Sequence, residues 1–140
     1  MKYREKIYKS YGDTFGKINA VEVEKVRLKN EKLKSRHLRN WLPDNKNSTI
    51  LDLGCGTGED IAFYLSKGYK NVSGVDLSVS QLNYAKSLGA EIKEGEILDT
   101  LNNTPKNSFD LISAYDVIEH LTKDEVLDFL SLTYKSLSHE

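Results

Sequence analysis

From Thr49 onward, short apolar runs alternate with stretches whose apolar residues recur every three or four positions. The runs TILDLG (49–54), NVSGVDL (71–77), AEIKEG (90–95) and FDLISAY (109–115) read as strands. Helical spacing fills 59–67, 79–88 and 123–137, with a short irregular piece after the third strand. In the last helix Val126, Phe129, Leu130, Thr133 and Leu137 are expected to share one face. Ser78 with Gln81, and Thr122 with Glu125, have capping-box spacing. Gly68 and Gly89 stand where the preceding helices should stop. This alternation predicts an α/β fold, a parallel sheet covered by helices on both faces.

The first 48 residues follow another pattern. Val23, Val26, Asn30, Leu33, His37 and Trp41 step by three and four, predicting a helix over 20–42 that Pro43 ends. Asn30 and His37 interrupt its apolar stripe, and His37 is read as a core residue. Charge divides at the same boundary. Residues 1–48 carry 13 Lys and Arg against 6 Asp and Glu, while the rest carry 7 against 15. That basic third is read chiefly as a solvated helix face, with steering of an anionic substrate as the second reading. The expected organisation is an N-terminal helical or lid segment (1–48) followed by an α/β core (49–140).

Composition narrows the class. The chain of 140 residues suits one domain. It has no apolar run long enough to span a membrane and no secretory signal pattern at its start. One cysteine, Cys55, excludes an internal disulfide or a CxxC metal site, and a cytoplasmic setting is expected.

Candidate chemistry centres on LDLGCGTGED (51–60). Gly54, Gly56 and Gly58 occupy the turn after the first strand, where α/β sheets bind ligands and where absent side chains let a ligand lie on the backbone. Asp76 ends the second strand 22 residues after Gly54, suited to accept hydrogen bonds from ribose hydroxyls. Leu77 follows as an apolar wall for an adenine. Glu59 and Asp60, directly after the loop, would repel a pyrophosphate, as would Asp52. An adenosyl ligand bearing an ammonium and a sulfonium fits that charge better than a dinucleotide.

Four segments in this order, LDLGCGTGED, GVDLS, EGEILDTL and FDLISAYDVIEHL, resemble the class I S-adenosylmethionine-dependent methyltransferases of the small-molecule type. The resemblance runs from about Thr49 to Leu137 and implies a Rossmann-like methyltransferase fold using S-adenosyl-L-methionine, with S-adenosyl-L-homocysteine as product. By that resemblance Asp52, Gly54, Gly56 and Gly58 surround the methionine portion, with Cys55 inside the loop and chosen for size. Glu96 and Ile97 border the adenine, although the family more often has aspartate at position 96. Tyr115 and Asp116 lie near the sulfonium and the acceptor. Asp116, Glu119 and His120 are candidates to take a proton from the acceptor, and histidine has the side chain titrating nearest neutrality. The alternative for His120 is a packed structural residue. The N-terminal aromatics Tyr3, Tyr8, Tyr11 and Phe15 are candidates for a lid over the cofactor, Tyr11 among them.

The family's sheet has order 3-2-1-4-5-7-6, and this chain supplies four strands, 3-2-1-4, with the later strands absent. A piece of a longer protein is therefore expected, with self-association through the bare fourth strand. The expected function is methyl transfer to a small-molecule acceptor, with no nucleic-acid partner, no membrane and no metal. A noncatalytic cofactor-binding or assembly module, and a NAD-dependent oxidoreductase, are the alternatives.

Overall fold

The computed structural model describes residues 3–10 and 19–139. Helices α1 (Tyr3–Lys9) and α2 (Ala20–Leu38) precede β1 (Thr49–Leu53), α3 (Glu59–Ser66), β2 (Asn71–Asp76), α4 (Val79–Lys86) and β3 (Glu91–Glu94). Then come α5 (Ile97–Asn103), β4 (Leu111–Ser113), a 3-10 turn (Ile118–His120) and α6 (Lys123–Ser136). The four strands form one parallel sheet in the order β3-β2-β1-β4, as the alternation predicts.

Side chains leave a strand alternately to its two faces, and β1 sorts the core accordingly. Ile50 joins Ile61, Phe63, Tyr64, Val72 and Leu82 beneath α3 and α4. Leu51 and Leu53 join Val75, Leu101 and Phe129 beneath α5 and α6. The sheet is thus covered on both faces. β3 differs from the central strands: its EIKE sequence is mostly exposed, as suits an edge. β4 forms the other edge, where Phe109 makes a parallel bridge to Leu137.

Several local expectations change. The irregular piece after β3 is the helix α5, started by the Glu96 carboxylate, which accepts the Leu98 and Asp99 amides at 2.7 and 3.1 Å. α2 ends at Leu38, so Trp41 lies beyond it, 77% exposed. Leu130 is exposed on α6, and Leu132 packs inward in its place. The Thr122–Glu125 capping box forms. The Ser78–Gln81 box does not, because Asp76 Oδ1 accepts the Ser78 amide at 2.8 Å and leaves Gln81 no role there. Gly68 and Gly89 take φ of +88° and +81° after their helices.

Candidate cofactor site

A cleft of about 860 Å³ opens at the carboxyl ends of the strands. That volume lies in the range of small-molecule sites. The sheet order sets its floor in a row: Glu96 and Ile97 after β3, Asp76 and Leu77 after β2, Gly54 to Gly56 after β1, and Tyr115 and Asp116 after β4. α2 forms the opposite wall through Val23, Val26, Asn30, Leu33, Lys34 and His37. α1 reaches both ends of the row. Its Tyr8 ring lies 5.0 Å from that of His120, and its Lys9 pairs with Glu94 at 3.9 Å.

The glycines divide by task. Gly54 and Gly56 line the cleft, with φ of +73° and +50°. A Cβ on Gly54 would meet Val117 Cγ2 at 2.7 Å. One on Gly56 would meet Gln81 Oε1 at 2.8 Å, so the Gln81 carboxamide, unused as a cap, lies over the loop. It is the end of a flexible chain, and the cleft stays open beside it. Gly58 does not line the cleft. Its missing side chain makes room for Ala85 and Leu88 of the α4 segment. Cys55 is buried, its sulfur packed over Gly74, and burial followed by the Asp52 charge pushes the thiol far up, which keeps it an unreactive thiol.

Asp76 anchors the loop as well as facing the cleft. Its Oδ2 accepts the Gly56 amide at 2.9 Å while Oδ1 takes that of Ser78. A carboxylate has about four acceptor positions, so further donors fit beside these two. Asp52 sits behind the cleft wall, 2% exposed, with Ser113 Oγ donating to it at 2.7 Å. Burial and then the Asp60 charge raise the Asp52 carboxyl well above the ordinary range, and the Ser113 bond and Lys34 oppose that. Tyr115 is likewise raised by burial and by Asp60. Asp116 holds φ +53°, a left-handed backbone costing a non-glycine residue on the order of 1 kcal/mol.

The raised Asp52 has a consequence for stability. A carboxyl whose folded-state pKa exceeds its unfolded one favours folding while protonated, and that contribution disappears as pH rises through the folded value. Asp52→Asn, which keeps an acceptor for Ser113, is expected to gain in melting temperature relative to the parent as pH rises from about 5 to about 8. Scanning calorimetry across that interval checks this, and a constant difference would contradict the burial argument.

The acids that follow the loop are matched by α2, which sequence reading missed. Asn30 Nδ2 donates to Glu59 at 2.6 Å, Lys34 pairs with Asp60, and Glu31 faces Lys67 at 3.4 Å. Arg27 donates to the carbonyls of Thr57 at 2.6 Å and Tyr84 at 3.2 Å, tying the glycine loop to α2 and α4. Residues 27, 30, 31 and 34 share one helical face, and that spacing was the available signal. The stripe of 23, 26, 30, 33 and 37 faces the cleft, and His37 is exposed at its mouth, not buried in the core. Arg27→Met should lower stability by about 2 kcal/mol, since bonds to a charged donor are lost. Urea unfolding at constant m would show it, with Arg27→Lys recovering part.

Of the other expected residues, His120 is exposed and lines the cleft, as do Leu77, Glu96, Ile97, Tyr115 and Asp116. Tyr3 is exposed on α1, and Tyr11 and Phe15 lie outside the described residues. No helix among the described residues is long and apolar enough to cross a membrane.

A parallel sheet in this order, a glycine turn after its first strand and a carboxylate at the next strand tip define a Rossmann-like, nucleotide-binding architecture. The family model described as "Methyltransferase domain" matches residues 50–140, and the chain belongs to that family. A phosphoethanolamine N-methyltransferase 1 of Arabidopsis thaliana is 37% identical over 76 residues, which cover 51% of this chain and 16% of the plant protein. An S-adenosylmethionine-dependent methyltransferase of Mesorhizobium loti superposes with a TM-score of 0.63 at 28% identity, over 75% of this chain and 49% of that one. Phosphoethanolamine N-methyltransferase 1 of Haemonchus contortus, solved with phosphoethanolamine and S-adenosylhomocysteine, gives 0.73 at 17% identity, over 96% of this chain and 30% of that one. The chain thus spans less than a quarter of the length of the curated relatives it matches first, and about half of the first solved chains.

Proposed function

We propose that this domain binds S-adenosyl-L-methionine and takes part in methyl transfer to a small-molecule acceptor, leaving S-adenosyl-L-homocysteine. The observation that carries the reading is the Asp76 carboxylate beside bare main chain at Gly54 and Gly56, on the floor of an open cleft. The donor set fits: a carboxylate for ribose hydroxyls, Leu77 and Ile97 for the faces of an adenine, and backbone at Gly54, Cys55 and Gly56 for the chain beyond the ribose. Glu96 stands at the adenine edge, its Oε2 accepting the two amides that start α5.

The cofactor supplies an activated methyl group, and the protein's part is alignment and proton management. Tyr115 and Asp116 border the acceptor space at the β4 tip. Asp116 or His120 accepts the proton that an ammonium or hydroxyl acceptor must lose. Because two of the three relatives named above are phosphoethanolamine N-methyltransferases, a primary amine bearing a phosphate is the first acceptor to test. Incubation with S-adenosyl-L-methionine labelled in its methyl group, with and without phosphoethanolamine, checks the reading. Label in an N-methylated product supports it. Binding of the donor without transfer to any small amine or hydroxyl acceptor would leave only the cofactor half standing.

A further inference from the structure

The proposed cofactor carries a carboxylate on its methionyl end, and none of the residues assigned above answers that charge. The cleft is walled by acids: Glu59, Asp60, Asp76, Glu96 and Asp116 all line it, and a ligand carboxylate among them needs a cation. Among the described residues lining the cleft, Lys34 is the one lysine or arginine. Its side chain is 15% exposed, its ammonium pairs with Asp60 Oδ1, and the same nitrogen lies 4.6 Å from the centre of the Tyr115 ring.

The sheet order says which end of a ligand meets it. With the ribose on Asp76 at the tip of β2 and the adenine between Leu77 and Ile97 toward β3, the remaining chain crosses Gly54 toward the tip of β4. Tyr115 stands at that tip and Lys34 stands over Tyr115. We propose that Lys34, reaching down from α2, is the binding residue for the α-carboxylate of the cofactor, an assignment that rests on the cofactor reading above. An ammonium has three donors, so it can keep Asp60 while bonding the ligand. Asp60 then positions the lysine and lessens the cost of confining it in the cleft. The same contact ties α2 to the occupied site, since the helix that walls the cleft also supplies the cation.

The test is a comparison of two ligands by titration calorimetry. S-adenosyl-L-homocysteine carries the carboxylate, and its decarboxylated analogue keeps the amine but lacks that group. The parent chain is expected to bind the first about ten- to a hundredfold more tightly, the range for a bond between charged groups. Lys34→Met should lose that preference, weakening the first ligand by the same factor while leaving the analogue within about twofold, and Lys34→Arg should retain it. The double variant Lys34→Met/Asp60→Asn, which removes both members of the ion pair so that neither is left without its partner, should behave as Lys34→Met does. Equal weakening of both ligands in the single and the double variant would mark a purely structural role and overturn the assignment, as would an unchanged preference. A parent that binds neither ligand would overturn the cofactor reading and this assignment with it. A parent that binds both equally would overturn the assignment alone.

Discussion

Asp76→Ala is expected to weaken S-adenosyl-L-homocysteine binding roughly a hundred- to ten-thousandfold, as measured by titration calorimetry. Two ribose hydroxyls bonded to one charged acceptor contribute about 1.5–3 kcal/mol each, and every 1.4 kcal/mol is tenfold in affinity. The substitution also removes the acceptor for the amides of Gly56 and Ser78. The loop and the start of α4 should therefore loosen, at a cost of about 1–3 kcal/mol in stability. Asp76→Asn separates the two effects. It keeps an oxygen for one of the amides, so it should fold nearly as well while still losing most of the affinity. Full affinity in a well-folded Asp76→Asn would remove the ribose contact from the account.

The largest loss of stability is expected at Gly58, away from any ligand. At φ +84° an alanine is strained by about 1–2 kcal/mol. Its Cβ would also stand 2.8 Å from Leu88 Cδ1, 3.0 Å from Ala85 Cβ and 3.1 Å from the Ala85 backbone. Overpacking of this kind costs about 1–3 kcal/mol more. Gly58→Ala should thus lower the melting temperature by on the order of 10 °C. Gly68 and Gly89 provide the control, because they share the positive φ but have nothing within 4 Å of an added Cβ. Alanine at either should cost only the backbone strain, about 1–2 kcal/mol. If all three variants melted alike, close packing at Gly58 would not be its reason for being glycine.

This difference among glycines shows where sequence reading stops. The strands and most helices were legible because burial imposes their apolar positions, and Ile50, Val72, Ile61 and Leu82, one from each of β1, β2, α3 and α4, meet in one buried cluster. The carboxylate at Asp76 was legible because its distance along the chain from the loop is set by one strand–helix–strand unit. Spacing alone places Gly58 in the loop with Gly54 and Gly56, yet its neighbour is α4, brought there by tertiary packing. Glu59 and Asp60 read in isolation as bare negative charge beside the loop. In the folded chain Asn30 and Lys34, some 29 and 26 residues earlier, lie against them. Those partners were hidden because a polar residue on an amphipathic stripe reads as an interruption until the facing element is known. Asn30 breaks the apolar pattern of α2 because the surface it meets is acidic. Electrostatic selection against a pyrophosphate is accordingly weaker at Asp60 than its sequence position suggests. Asp76 and Glu96 keep the floor of the cleft acidic.

The central claim is that backbone and a carboxylate at the tips of β1 and β2 hold an adenosyl cofactor. Titration of the unsubstituted chain with S-adenosyl-L-homocysteine and, separately, with NAD examines it most directly. Saturable one-to-one binding of the first and no heat from the second is the expected result. Heat from NAD with none from S-adenosyl-L-homocysteine would contradict it.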